Sequence, residues 1–187
     1  MMTKQEIREQ NKALRRQMSR VDAETKSQTA AEIFLRSELY TASRQIMLYM
    51  PLGNEVDLTA IKTKALADGK RVVLPVTEKN SGIIIPICVG ENTVFKKGNF
   101  SVLEPQSTEI ADMTRVDVVL VPGIAFDKRG ARVGFGKGCY DMFLESYNGI
   151  KIGVCYDFQL QREIPADSHD VRMDYILTEN GLKKCEV

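Results

Sequence analysis

A run of apolar, mostly β-branched residues, Val116 followed by Val118, Val119, Leu120 and Val121, stops at Pro122-Gly123. A strand that is polar on neither face must be covered on both, as in a parallel sheet flanked by helices. Further on the period changes. Tyr140, Phe143, Leu144 and Tyr147 recur at i, i+3, i+4 and i+7, which marks one face of a helix. Residues 115–147 therefore read as strand, long loop, glycine-rich turn and helix, a unit that belongs in an α/β sheet.

Gly130, Gly134, Gly136 and Gly138 fill the stretch between strand and helix. Glycines at this density permit φ > 0 and let backbone N–H groups approach a ligand. With the start of the following helix they make a site for phosphate. Arg132 and Lys137 add positive charge to the same turn. The turn is not a dinucleotide fingerprint, because after Gly134 and Gly136 the G-x-G-x-x-G pattern needs glycine at Cys139. No G-x4-G-K-[ST] fits either. On spacing alone, a phosphate cradle and a solvated glycine-rich surface loop remain equally open.

The rest of the chain agrees with an α/β sheet. Residues 3–20 lack Gly and Pro and read as a helix with Ile7, Leu14, Met18 and Val21 as a narrow apolar seam. Most of its remaining surface is basic. Lys4 and Arg8 are i, i+4 neighbours, either part of a solvated charged face or a pair able to grip one anion. Asp22 is placed to cap a second helix that runs to about Leu39. Residues 45–50 form a strand. Asp57 then caps a helix ending near Gly69, with Val56 and Ile61 as a hydrophobic staple. A strand at 71–75 completes a βαβ unit, so these strands should be parallel. Ligands of such sheets gather outside the carboxyl ends of the strands. Met50 and Glu55 lie there, although an exposed loop acid is the plainer reading of Glu55. Pro86 confines the strand at 83–89 to an edge or bulge. A buried strand at 151–155, a short helix or turn near 157–163 and a last strand at 175–177 follow.

Size and composition close off several classes. A chain of 187 residues suits one domain spanning 1–187. A net charge of +1 gives no overall field for nucleic acid or membrane. The widely spaced Cys88, Cys139, Cys155 and Cys185 form no C-x-x-C pair and read as reduced thiols. No apolar run is long enough to span a bilayer. The N-terminus lacks a secretory apolar core, and Glu6 and Glu9 argue against a transit peptide, so a cytoplasmic protein is expected.

The string VPGIAFDKRGARVGFGKGCYD closely resembles the signature of the 5-formyltetrahydrofolate cyclo-ligase family, also called methenyltetrahydrofolate synthetase. That signature is roughly V-P-G-x-A-F-D-x-x-G-x-R-x-G-x-G-x-G-Y-Y-D-R. The closing SHDVRMDYILTEN also matches the family's pattern. The resemblance implies a three-layer α/β/α fold with a mostly parallel, Rossmann-like sheet, of the kind shared by sugar-phosphate isomerases and CoA transferases. It implies ATP-dependent cyclisation of 5-formyltetrahydrofolate to 5,10-methenyltetrahydrofolate through a phosphorylated formyl group. Magnesium is the implied cofactor, ATP the co-substrate, and a monomer the expected form.

Site residues follow from the same resemblance. Lys4 and Arg8, with Arg132, Gly134, Phe135, Gly136, Lys137, Gly138, Cys139 and Tyr140, are implied to hold ATP. Lys137 and Arg132 are expected to serve the transfer itself, with Lys137 nearest the moving phosphoryl group. Met50 and Glu55 are implied folate contacts, the carboxylate accepting from pterin N–H groups. Asp141 and Asp174 resemble the metal-associated acids, although Asp141 also suits the helix dipole and Asp174 a strand end. Asp127 is a turn former or a support for the glycine-rich loop. His169, the only histidine, is expected to bond Asp170 or backbone rather than act as acid or base. Two positions depart from the pattern: Cys139 stands for the first Tyr of Y-Y-D, and Met142 for the following Arg. Two rivals stay in view. One is a sugar-phosphate isomerase that needs no ATP. The other is a folate or nucleotide module that forms no product.

Overall fold

The computed structural model describes residues 2–78, 80–98, 102–167 and 170–186. Its centre is a seven-stranded sheet. In chain order the strands are β1 (Gln45–Met47), β2 (Arg71–Thr77), β3 (Ile84–Val89), β6 (Val118–Pro122), β9 (Ile150–Val154), β11 (Tyr175–Thr178) and β12 (Gly181–Lys184). They lie in the order β12-β11-β9-β6-β1-β2-β3. The five inner strands are parallel, and β3 and β12 close the two edges antiparallel. The expected edge position of the Pro86 strand holds. The hairpin partner β12 was not foreseen.

Two apolar layers explain the continuous hydrophobic runs. Ile46 and Leu48, Val72 and Leu74, Val118 and Leu120, and Ile152 and Val154 all face one side. There they meet α2 (Arg20–Leu35), α3 (Glu38–Ala42) and α4 (Thr59–Ala67) through Phe34, Tyr40, Ile61 and others. Met47, Val73, Val119 and Val121 face the other side with Leu144 of α5 (Cys139–Leu144), Tyr147, Val116 and Met173. Side chains alternate along a strand, so a strand buried on both faces must be apolar at every position.

Two small sheets sit beside the main one. β7 (Ala125–Asp127) pairs antiparallel with β8 (Arg132–Val133) and parallel with β10 (Leu160–Gln161). β4 (Phe95–Lys97) pairs with β5 (Leu103–Pro105). The β7–β8 hairpin occupies what read as a long loop. Asp127 builds its turn: Oδ1 accepts from the Arg129 and Ala131 N–H groups, and Oδ2 from that of Ile164.

The first helix, α1 (Lys4–Gln17), rests on this hairpin, with Ile7 packed among Ala125, Ala131, Val133 and Ile164. Its inward residues are Ile7, Asn11 and Arg15, at i, i+4 and i+8. The expected seam does not form, since Leu14 and Val21 are exposed. Polar residues take the inner face because its far end borders a polar site. Ser19, not Asp22, caps α2: its hydroxyl accepts from the Asp22 N–H and donates to Asp22 Oδ2, and Asp22, in the first turn, meets the helix dipole. That helix ends at Leu35 rather than Leu39.

A capping box starts α1. The Thr3 hydroxyl accepts from the Glu6 N–H at 3.3 Å, and Glu6 Oε2 accepts from the Thr3 N–H at 2.7 Å. Thr3→Ala is expected to cost about 1 kcal/mol of stability, read by urea denaturation. An unchanged midpoint would mean that packing on the hairpin alone holds the helix start.

Candidate active site

A cleft of about 680 Å³ opens at the carboxyl ends of β1, β2 and β6. All the residues implied to hold ATP, folate or metal line it, apart from Asp174. One wall is α1 with Lys4 and Arg8. The floor is the chain leaving β1, with Tyr49, Met50 and Glu55. The opposite wall is the turn 134–138 and the start of α5.

Backbone geometry explains the glycines of the turn. Gly136 has φ +101° and Gly138 has φ +67°, values that side chains beyond glycine rarely adopt. The turn is fastened to α1: Arg8 Nε donates to the Gly134 carbonyl at 2.8 Å. Beside it the Lys12 ammonium lies 5.4 Å from the Phe135 ring centre. α5 has only six residues, so its dipole adds little to the turn's own N–H groups.

Charges expected to meet ligands meet one another. Arg132, delivered by the hairpin, is only 8% exposed. Its Nη2 bonds Asp141 Oδ2 at 2.8 Å, its Nη1 reaches the Pro122 carbonyl at 3.3 Å, and its Nε has no partner. The guanidinium carbon stands 5.7 Å from the Tyr140 ring centre. Lys4 reaches both Asp167 and Asp170 at 2.6 Å. Burial acts to lower the ammonium's pKa, but the bonds to the two aspartates outweigh it and the net shift is upward. Both cations thus line the cleft already held by carboxylates.

The other end of the cleft belongs to Glu55. It is buried, its Oε2 accepts from the Leu52 N–H at 2.9 Å, and its Oε1 lacks a hydrogen-bond donor. Arg15 Nη1 stands 3.8 Å from that Oε1, an ion pair without a hydrogen bond. Burial pushes the carboxyl's pKa up, against the Leu52 bond and the Arg15 charge. A buried acceptor with an unused oxygen is suited to a ligand carrying N–H groups.

Three further sequence expectations meet the structure. Asp174 precedes β11 and so lies at the amino ends of the strands, away from the cleft. Its Oδ2 takes the Lys151 N–H at 2.7 Å and the Lys151 ammonium at 3.2 Å. It is therefore not brought together with Asp141, and it serves to tie β9 to β11. Met142 is 55% exposed and lines a second groove rather than this cleft, so the arginine missing there takes nothing from the wall described. Cys139 lines both the cleft and that groove. His169 lies outside the described residues.

Sequence reasoning missed Arg15, Asp167 and Asp170. The signal for Arg15 was present: the expected apolar seam of α1 skips a turn, and Arg15 stands beside the gap.

A model of the 5-formyltetrahydrofolate cyclo-ligase family matches residues 1–179. The chain belongs to that family. It is 36% identical over 149 residues to the 5-formyltetrahydrofolate cyclo-ligase of Mycolicibacterium smegmatis, covering 76% of this chain and 77% of that one. The Saccharomyces cerevisiae cyclo-ligase is 30% identical, with 97% of each chain covered. Among solved structures, the Aquifex aeolicus 5,10-methenyltetrahydrofolate synthetase superposes with a TM-score of 0.87 at 33% identity, over 98% of this chain and 93% of that one. The fold is thus the α/β cyclo-ligase fold with its mostly parallel sheet. No helix among the described residues is long and apolar enough to cross a membrane.

Proposed function

We propose that this cyclo-ligase closes 5-formyltetrahydrofolate to 5,10-methenyltetrahydrofolate at the expense of ATP, acting as one cytoplasmic domain and as a monomer. One observation carries the reading. A glycine turn with cations beside it and a buried acceptor carboxylate occupy one continuous cleft.

The formyl group on N5 is unreactive because nitrogen donates into its carbonyl. Its oxygen attacks the γ-phosphorus of ATP, the bond to the bridging oxygen breaks, and ADP leaves with the electron pair. N10 then adds to the formyl carbon. The carbon–oxygen bond breaks, phosphate departs with the oxygen, and the proton of N10 passes to phosphate. The product is the cyclic amidinium cation. Such a sequence asks the protein mainly to align groups and neutralise charge.

The residues divide accordingly. The N–H groups of 134–138, with Lys137 and Arg8, cradle the triphosphate, and Phe135, Cys139 and Tyr140 wall it. Lys4 turns from the exposed Asp167 toward phosphate. Arg132 holds Asp141 and Tyr140 in place and keeps its charge under the turn. Met50 and Glu55 receive the pterin.

Magnesium would be held as a partner of the nucleotide. Among the described residues no group of three His, Cys, Asp or Glu side chains is arranged to hold a metal. Asp141, in the first turn of α5 beside the glycine turn, is the carboxylate that would serve. A single carboxylate suits magnesium, which takes one or two from protein and the rest from phosphate and water. Bound there, the ion would neutralise phosphate charge.

The test is the strong absorbance of the methenyl product. It should grow only with folate, ATP and magnesium together, with one ADP per product. Folate turnover without ATP consumption would favour isomerase-like chemistry. Ligand binding with no absorbance gain at any enzyme concentration would leave a binding module and end the proposal.

A further inference from the structure

We propose that Arg15 is a positioning residue for the folate end of the cleft: its guanidinium favours the ionised form of Glu55 and turns the unused Oε1 toward the substrate. The inference deepens the proposed function and rests on it.

Geometry carries the assignment. Glu55 and Arg15 are each 8% exposed, so the pair has almost no solvent to share. Arg15 Nη2 donates to the Leu52 carbonyl at 3.1 Å, while the Leu52 N–H donates to Glu55 Oε2 at 2.9 Å. One residue, through its N–H and its C=O, thus sets the spacing of both side chains. The Arg15 carbonyl accepts from Asn54 Nδ2 at 3.1 Å, which ties the loop before Glu55 to α1. From the far side the Tyr156 hydroxyl donates to the Glu55 carbonyl at 3.3 Å. Glu55 is therefore held at its backbone carbonyl and at one carboxylate oxygen, yet Arg15 stops at 3.8 Å, too far to fill Oε1. A closer arginine would satisfy the acceptor and remove the reason for a ligand to bind it.

The charges facing Glu55 are few. Arg15 approaches from α1, Tyr49 from the chain after β1, and Tyr140 from α5. Burial first, and then the Glu55 charge, push both phenols upward, so neither carries charge at working pH. Against the cost of burying the carboxylate stand the Leu52 N–H bond and the positive charge of Arg15. Without that charge Glu55 is easier to protonate on its free oxygen as the pH falls. Oε1 then becomes a donor facing the N–H donors of the pterin, and the contact turns repulsive.

The experiment is the pH dependence of the folate KM in wild type, Arg15→Met, Arg15→Lys and Glu55→Gln. Arg15→Met should move the inflection up by about one pH unit or more, because an opposite charge at this range shifts a carboxyl by that amount. Below both inflections its folate KM then exceeds the wild-type value about tenfold. The KM for ATP should stay within about threefold, since the change touches ground-state folate binding. Arg15→Lys should keep the wild-type profile, and Glu55→Gln should show a raised KM without inflection. An Arg15→Met profile that coincides with wild type overturns the inference, and so does an Arg15→Lys profile that matches Arg15→Met. Should Arg15→Met fail to fold, the wild type compared with Glu55→Gln still decides: an inflection at neutral pH or above means that Arg15 does not hold the charge. Wild-type protein that forms no methenyl product defeats the functional reading instead, which keeps the two failures apart.

Discussion

Lys137→Ala is expected to cut turnover about a hundredfold or more while leaving stability almost unchanged. The residue lies in the exposed part of the glycine turn and lines the cleft. Removing one group aimed at charge that develops in the transition state costs about 10²–10³ in rate. Exposed positions of this kind usually alter stability by no more than about 0.5 kcal/mol, or roughly 2 °C in a chain of this size. The other cations of the site are placed differently. Arg132 holds Asp141 from a buried position and Lys4 is shared by two aspartates, so their loss would disturb structure as well as rate. Steady-state kinetics beside a thermal melt tests the prediction. Parallel losses of activity and melting temperature would remove Lys137 from the transfer step.

Phe126→Ala should be the most damaging change to stability. The ring is fully buried and lies against the backbone of β9 at Gly153, where a Cβ would fall 2.4 Å from its edge. Gly153 therefore has a packing reason: only a residue without a side chain lets the ring this close. Removing a buried phenyl group costs about 3–5 kcal/mol, since the surroundings collapse only in part. At this length that corresponds to roughly 10 °C or more. Phe126 also anchors the hairpin that delivers Arg132, so residual activity should fall even below the transition. A calorimetric melt checks the first effect and kinetics at low temperature the second. A shift under about 2 °C would mean that the neighbouring Ile176 and Val121 refill the space.

Much of the fold was legible because doubly buried strands write an unbroken apolar run. Val118–Val121 and the 45–50 segment announced their covering layers, and Pro86 announced an edge. The β7–β8 hairpin was not legible. Its strands are three and two residues long, too short for any period, and its turn is read as loop. The inner face of α1 misled because periodicity finds apolar stripes, and this helix buries Asn11 and Arg15 beside Ile7. The site was legible through its glycines, which only a special backbone needs, and through Glu55, which sits where such sheets collect ligands. Pairings between distant charges were beyond reach. Spacing says nothing of Lys4 with Asp167 and Asp170, or of Arg132 with Asp141. Asp174 illustrates the same limit, since a motif assigns a residue type without saying which end of the sheet it occupies.

α1 is stiff over the 12 residues from Lys4 to Arg15, a rise of about 16 Å. It rests on a small hairpin rather than on the main sheet, and it touches the nucleotide turn at one end and the Glu55 loop at the other. Whatever seats one end of such a lever settles the other. The two substrates should therefore bind with synergy, and linkage makes the benefit reciprocal: ATP tightens folate by the same factor as folate tightens ATP.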